Sequence, residues 1–126
     1  MQFRGVDDKA VVMPLDEFEA LLEQNRINLA INIHSFPESP LASVKWWIST
    51  LARHKVRYLM IAPNKEGPQG GQEFMSREGD GSSLDFLPII LESGYKLIAR
   101  EPKYLDAGVQ KYGVSPIYHH LFELKV

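Results

Sequence analysis

The stretch INLAINIHSFPESP, residues 27–40, decides the fold. Residues 27–33 are mostly apolar and are interrupted near their end by Asn32. A short apolar run with little alternation is typical of a strand whose two faces are both covered. The run then breaks into His34, Ser35 and, after a proline, Glu38. The sequence therefore predicts a buried strand that ends in a cluster of polar side chains.

The segments on either side alternate between helix and strand patterns. Ser39 and Pro40 are typical of a helix start, and apolar residues at helical spacing predict a helix over about 40–54. Such alternation predicts an α/β protein with a three-layer, Rossmann-like, mostly parallel sheet, closed by an antiparallel strand at the C-terminus. The other predicted elements are strands 9–13, 56–62, 95–101 and 118–126, a helix over 16–25, and a helix that begins at Asp85.

Length and composition limit the class of protein. The 126 residues form one domain, 1–126, with a loose N-terminus over 1–8 and a long glycine-rich loop over 63–83. A net charge of −2 argues against a nucleic-acid surface. The absence of cysteine excludes a disulfide scaffold, and no apolar run reaches the length of a membrane span or resembles a signal peptide. We therefore expect a cytoplasmic protein with no nucleic-acid or membrane partner.

Several stretches together resemble one family. INLAINIHSFPES, VRYLMIAPN, DFLPIILESGYKLI and HHLFEL are similar to the fourth to seventh strands, with their connections, of class I S-adenosylmethionine-dependent methyltransferases. The first of these stretches resembles the fourth strand and the following turn of sugar O-methyltransferases and related enzymes, where an Asn, a Ser and a Glu recur. The resemblance covers about residues 9–126 and implies S-adenosylmethionine as cofactor and a sugar or similar hydroxyl compound as acceptor. It also implies that the last strand lies antiparallel between 56–62 and 95–101.

The chain departs from that family at the cofactor site. Class I methyltransferases hold the cofactor with a glycine-rich turn after the first strand and an acidic residue after the second. Here the Gly-x-Gly sequence at 79–81 follows no predicted strand. Strand 9–13 would correspond to the third strand of the family, so the first two strands are missing. We therefore expect an incomplete methyltransferase fold, the C-terminal half, which alone binds S-adenosylmethionine weakly or not at all.

The polar residues after the strand are the candidate site. Ligands of open parallel sheets bind beyond the carboxyl ends of the strands, where His34, Ser35 and Asn64 are expected. His34 is the candidate general base, because a neutral imidazole can take the proton of an acceptor hydroxyl. Glu38 either orients His34 or binds a sugar hydroxyl. In the alternative interpretation, Asn32 and Ser35 only hold the loop and cap a helix, and His34 is merely exposed.

Two further features carry expectations. Trp46 is assigned to the substrate or partner surface, although it also fits a half-exposed position beside a core Trp47. His119 and His120 are adjacent and on a strand would face opposite sides, so we expect no metal site. The alternative is a site formed by His34, Glu38 and an acidic residue of loop 63–83.

Two function classes remain open. One is the C-terminal half of an O-methyltransferase with a hydroxyl acceptor. The other is a non-catalytic Rossmann-like module that forms a homodimer or binds a partner. Residues 27–33 are too apolar for a solvated sheet edge if the first two strands are missing. We therefore expect a homodimer that forms through this edge or through the surface around helix 16–25.

Overall fold

The computed structural model describes residues 12–63, 73–113 and 117–125. A short 3-10 turn at Leu15–Glu17 leads into the first helix, and a second one, Phe36–Glu38, follows the first strand. The elements in chain order are α1 (Phe18–Gln24), β1 (Leu29–Ile33), α2 (Leu41–Arg53), β2 (Tyr58–Ala62), α3 (Leu87–Glu92), β3 (Tyr95–Pro102), α4 (Ala107–Tyr112) and β4 (Tyr118–Leu124). No helix in these ranges is long and apolar enough to cross a membrane.

The four strands form one mixed sheet in the order β1-β2-β4-β3. β1 and β2 are parallel, and β4 is antiparallel to both β2 and β3. The insertion of the last strand between β2 and β3 is confirmed. The sheet is therefore mixed, with one parallel and two antiparallel pairings, because β1, β2 and β3 run in one direction and β4 runs against them. Within the described residues, β1 is an edge strand and not the central strand that its apolar sequence indicated.

The core lies on one face of the sheet. Side chains of α1, α2 and α3 share a single buried cluster with Leu59 and Ile61 of β2 and Phe122 of β4. The other face carries Leu29, Ile31 and Ile33, which are 47%, 56% and 58% exposed. α1, α2 and α3 pack on the core face, so the described part of the chain does not show the predicted third layer. The apolar sequence of β1 predicted burial on both faces of the strand. In the described structure Leu29, Ile31 and Ile33 nevertheless remain about half exposed.

Two predicted segments differ from expectation. Residues 9–11 of the predicted first strand lie outside the described residues, and Val12 and Met13 belong to no strand. Of the predicted loop 63–83, residues 64–72 are likewise outside, whereas the stretch from 73 onward packs into the core through Phe74 and Ser76. α4 was not predicted. The carboxylate of Asp106 caps it by accepting the Val109 N–H at 2.9 Å.

A side chain from the loop that precedes α3 caps the N-terminus of α2. The Leu41 N–H donates to the Glu78 carboxylate at 2.8 Å, and the Ser76 hydroxyl donates to the same oxygen at 2.7 Å. The Ser39 hydroxyl instead donates to the Ser35 carbonyl. The predicted helix start is correct in position, but the side chain that caps it comes from another part of the chain.

Candidate functional site

The turn after β1 is built by Asn32. Its side-chain oxygen accepts the Phe36 N–H at 3.1 Å, and its amide nitrogen donates to the Ser35 hydroxyl at 2.5 Å. These bonds fold the chain back into the Phe36–Glu38 turn, whose Phe36 and Pro37 are buried. The structure thus brings Asn32 and Ser35 together, in the loop-holding arrangement that was the alternative interpretation of the sequence.

His34 stands on this turn with an unusual backbone. Its φ is 64°, in the left-handed region that costs non-glycine residues about 1–2 kcal/mol. Its N–H is fixed by the Ala62 carbonyl at 2.8 Å, which ties the turn to the end of β2. Its imidazole is exposed, as is Glu38 in the following turn. A strained residue held by its surroundings at a strand end is a feature that recurs at functional sites.

Of the other two predicted substrate residues, the structure describes Trp46. Asn64 lies outside the described residues. Trp46 lies on α2, 39% exposed, and packs against Trp47 with ring centroids 5.0 Å apart and against Phe18 at 6.4 Å. It belongs to an aromatic surface between α1 and α2.

An open groove runs along β1 between the strand and the helices. It encloses about 350 Å³, and Asn32 and Ser35 are the polar residues that line it. Its apolar lining is Phe18, Leu21, Leu22, Ile27, Leu29, Ala30, Ile31, Phe36, Trp47, Leu51 and Leu59. The groove can therefore receive an apolar group or segment, and Trp47 contributes to it where Trp46 does not.

A row of side chains crosses the sheet near the carboxyl ends of β1, β2 and β3. Asn32 pairs with Ile61, Ile61 with His120, and His120 with Arg100. Side chains of paired residues share a face, so three of these four put polar groups on the helix-covered face. With strands about 4.8 Å apart, the row spans about 14 Å. It lies at the end of the sheet where open α/β folds bind ligands.

Glu73 joins the far end of this row. One of its carboxylate oxygens lies 2.7 Å from His120 Nε2, and the other accepts a hydrogen bond from Arg100 at 2.6 Å. The His120 side chain is only 1% exposed, and its ring packs edge-on against Phe74 at 4.8 Å. The Arg100 guanidinium lies over the Tyr118 ring, 3.5 Å from its centroid. The cluster anchors the segment that begins at Glu73 to both β3 and β4.

Burial dominates the electrostatics of this cluster. Loss of solvent lowers the pKa of His120, and the nearby Glu73 carboxylate opposes this effect without cancelling it. Burial also disfavours the charge of Arg100, but its hydrogen bond and attraction to Glu73 prevail and raise its pKa. The described geometry therefore favours a neutral imidazole beside a carboxylate that is neutralised by an arginine.

This cluster was not predicted from the sequence. The adjacent positions of His119 and His120 were used only to argue against a shared metal site. The signal that was present is the period of two in β4, since His120, Phe122 and Leu124 share the face that pairs with Leu59 and Ile61. That pattern predicts His120 on the core side. The contribution of Glu73 could not be read from the pattern, because its contacts are distant along the chain.

Known proteins offer no family assignment. A scan of protein-family models found no match to the chain, and neither did a search of curated proteins.

The described residues do not fit S-adenosylmethionine. Glycines with positive φ in the described ranges are Gly81 and Gly94, of which the first lies in an exposed turn and the second follows α3. Neither follows a strand in the way that a nucleotide-binding glycine turn does. Within the same ranges, no group of three or more His, Asp or Glu side chains is placed to hold a metal ion.

Proposed function

We propose that this chain is the C-terminal, acceptor-side half of an S-adenosylmethionine-dependent O-methyltransferase whose acceptor is a sugar or a similar hydroxyl compound. The observation that carries the proposal is the strand order β1-β2-β4-β3, with the last strand antiparallel between two strands that share a direction. The family resemblance of the sequence implies this arrangement.

The bare surfaces of the sheet support the same proposal. In the described residues, β1 has one unpaired edge, and the face opposite the helices exposes Leu29, Ile31 and Ile33. Half of a layered domain would have this appearance, because the strands and helices that cover its sheet belong to the other half. The cofactor cradle would also belong to that half, which agrees with the poor fit of the described residues to S-adenosylmethionine.

Within this proposal His34 and Glu38 face the acceptor. The exposed imidazole at the end of β1 accepts the proton of the acceptor hydroxyl, and Glu38 binds a neighbouring hydroxyl. The strained backbone of His34 and its bond to Ala62 hold the imidazole at the strand end. Asn32 and Ser35 shape the turn that presents both residues.

The test uses a longer protein that includes the sequence encoded upstream of Met1. We expect it to bind S-adenosylhomocysteine in calorimetric titration and to transfer radiolabelled methyl groups from S-adenosylmethionine to members of a panel of sugars. His34→Ala should lower turnover by about 10²–10⁴-fold while acceptor binding changes little. His119→Ala, an exposed histidine on β4, is the matched control. Failure of the longer protein to bind S-adenosylhomocysteine would contradict the proposal, and unchanged turnover in His34→Ala would remove His34 from the mechanism.

The second candidate is a non-catalytic module that dimerises or binds a partner. The groove along β1 favours it, because the lining is almost entirely apolar and its two polar residues are hydrogen-bonded to each other. A stop codon directly upstream of Met1, together with self-association of the chain, would favour this module over the enzyme.

A further inference from the structure

Among the described residues β1 pairs on one side only, and its unpaired edge differs chemically from the opposite edge of the sheet, which β3 forms. Residues 27–33 contain no charged side chain and no proline. β3, at the opposite edge, carries Lys96, Arg100 and Glu101, ends at Pro102 and has a register shift between Leu97 and Ala99. Charges, proline and bulges are the devices by which proteins prevent pairing at sheet edges. The fold therefore protects one edge and leaves β1 open.

The backbone of β1 shows which groups are unpaired. The Asn28 carbonyl accepts the Tyr58 N–H, and the His34 N–H donates to the Ala62 carbonyl, both at 2.8 Å. Alternate residues of a strand direct their N–H and C=O groups to opposite sides. Even-numbered residues from 28 to 34 thus face β2, and Leu29, Ile31 and Ile33 present theirs to the free edge. The same three residues expose their side chains on the open face of the sheet.

We propose that this edge pairs with the same edge of a second copy of the chain, antiparallel and centred on Ile31. A two-fold axis at that residue places Ile31 opposite Ile31 of the partner subunit and Leu29 opposite Ile33 of the partner subunit. These are the residues whose N–H and C=O groups face outward, so each opposed pair exchanges two hydrogen bonds, about six in all. A register shifted by one residue would oppose outward-facing groups to inward-facing ones.

The side chains of this register are also self-complementary. Leu29, Ile31 and Ile33 of both copies form one apolar strip on the open face, continuous with the half-exposed Met60 and Leu121. No like charges oppose each other across the strands, because the segment has none. At the rim, Asn28 lies opposite His34 of the partner subunit, where an amide and an imidazole meet. The inference deepens the second candidate function, the module that dimerises, and rests on it, because in the first candidate the other half of the domain would occupy this edge.

Sedimentation of the 126-residue chain over a wide range of concentrations tests the association. We expect a reversible dimer whose dissociation constant rises at least about tenfold in Ile31→Lys, since the axis sets two lysines side by side. Ile98→Lys is the matched control, because Ile98 is an exposed isoleucine, 43%, on the protected edge. Its dimer should be unchanged, and far-ultraviolet circular dichroism should show both variants folded. A chain that is monomeric at all concentrations, or a dimer that Ile31→Lys leaves intact, would overturn the proposal.

Cysteine cross-linking tests the register, because the chain has no cysteine of its own. Residues in a hydrogen-bonded antiparallel pair have Cα atoms about 5.5 Å apart, within the range of a disulfide. Ile31→Cys should therefore oxidise readily to a covalent dimer. Leu29→Cys alone should not, as its counterpart in the partner lies about 14 Å away, but mixed with Ile33→Cys it should. Rapid cross-linking of Leu29→Cys with itself would contradict a two-fold axis at Ile31. It would indicate that the two strands pair in a different register.

Discussion

At the scale of single residues, His120 is a titratable side chain that the fold buries almost completely, at 1% exposure. Its folded-state pKa lies below the ordinary 6.5 because it is buried, so the unfolded chain binds a proton at higher pH than the folded chain does. The contribution of His120 to the free energy of unfolding should be fully present above about pH 6.5. It should be lost as the pH falls from there towards the lowered pKa of the folded state. Urea unfolding between pH 7.5 and pH 5 should show this loss, and His120→Gln, which cannot protonate, should flatten it.

The neighbouring residue provides the control for that experiment. His119 is exposed on the same strand, so His119→Gln should keep the pH dependence of the parent chain. An unchanged slope in His120→Gln would assign the acid sensitivity to another group. The charged groups that face the imidazole in the described structure are Glu73 and, paired with it, Arg100.

The backbone of His34 gives a prediction independent of catalysis. Its φ of 64° is a conformation that glycine adopts freely. His34→Gly should therefore raise the free energy of unfolding by about 1 kcal/mol, the strain removed. Lys55→Gly, at a φ of 60°, should do the same and serves as a comparison. A loss of stability in His34→Gly alone would show that the imidazole makes stabilising contacts that outweigh the strain.

At the scale of elements, α2 depends on a carboxylate supplied from 37 residues away. Glu78→Ala removes the acceptor of the Leu41 N–H and should lower the free energy of unfolding by about 1 kcal/mol, as the loss of an N-cap does. Glu78→Gln keeps an acceptor oxygen and should lose less. Glu92→Ala, at the exposed end of α3, controls for removal of a glutamate. Equal stability of Glu78→Ala and Glu92→Ala in urea titrations would show that the cap is not stabilising.

The elements themselves were readable from the sequence because their signals are local. Helical spacing and the Ser39-Pro40 pair predicted α2 to within one residue at each end, and short apolar runs predicted β1 and β2. The Glu78 cap and the Glu73 cluster were not readable, since both join residues that are distant along the chain. α4 was missed because its six residues are surrounded by turn-forming residues and bury no side chain.

At the scale of the whole molecule, the order of the strands was predictable, but the burial of each face of the sheet was not. The order followed from a family resemblance that extended over most of the chain. The apolar residues of β1 predicted burial, but a strand's sequence does not indicate which chain buries it. The role of His34 as a base also could not be predicted from its position alone. Its neighbours Asn32 and Ser35 form the hydrogen bonds that fold the turn.

The half-domain proposal makes a prediction for the isolated chain. Calorimetric titration of the 126 residues with S-adenosylhomocysteine should give no detectable heat, because none of the described strands is followed by a glycine turn of the kind that holds this cofactor. The longer protein described above is the positive control. Binding by the isolated chain in the low micromolar range, with one ligand per chain, would show that it holds a complete cofactor site.

The pairing of the two tryptophans has an optical consequence. Trp46 and Trp47 are the only tryptophans in the chain, and their rings are 5.0 Å apart at 78°. Two indoles this close couple their strong far-ultraviolet transitions, so the far-ultraviolet circular dichroism should contain a signed couplet from this one pair. Trp47 lines the groove along β1, and so the couplet and the emission maximum respond to what enters that groove. Events at the β3–β4 end of the sheet, which has no tryptophan, should leave both signals unchanged.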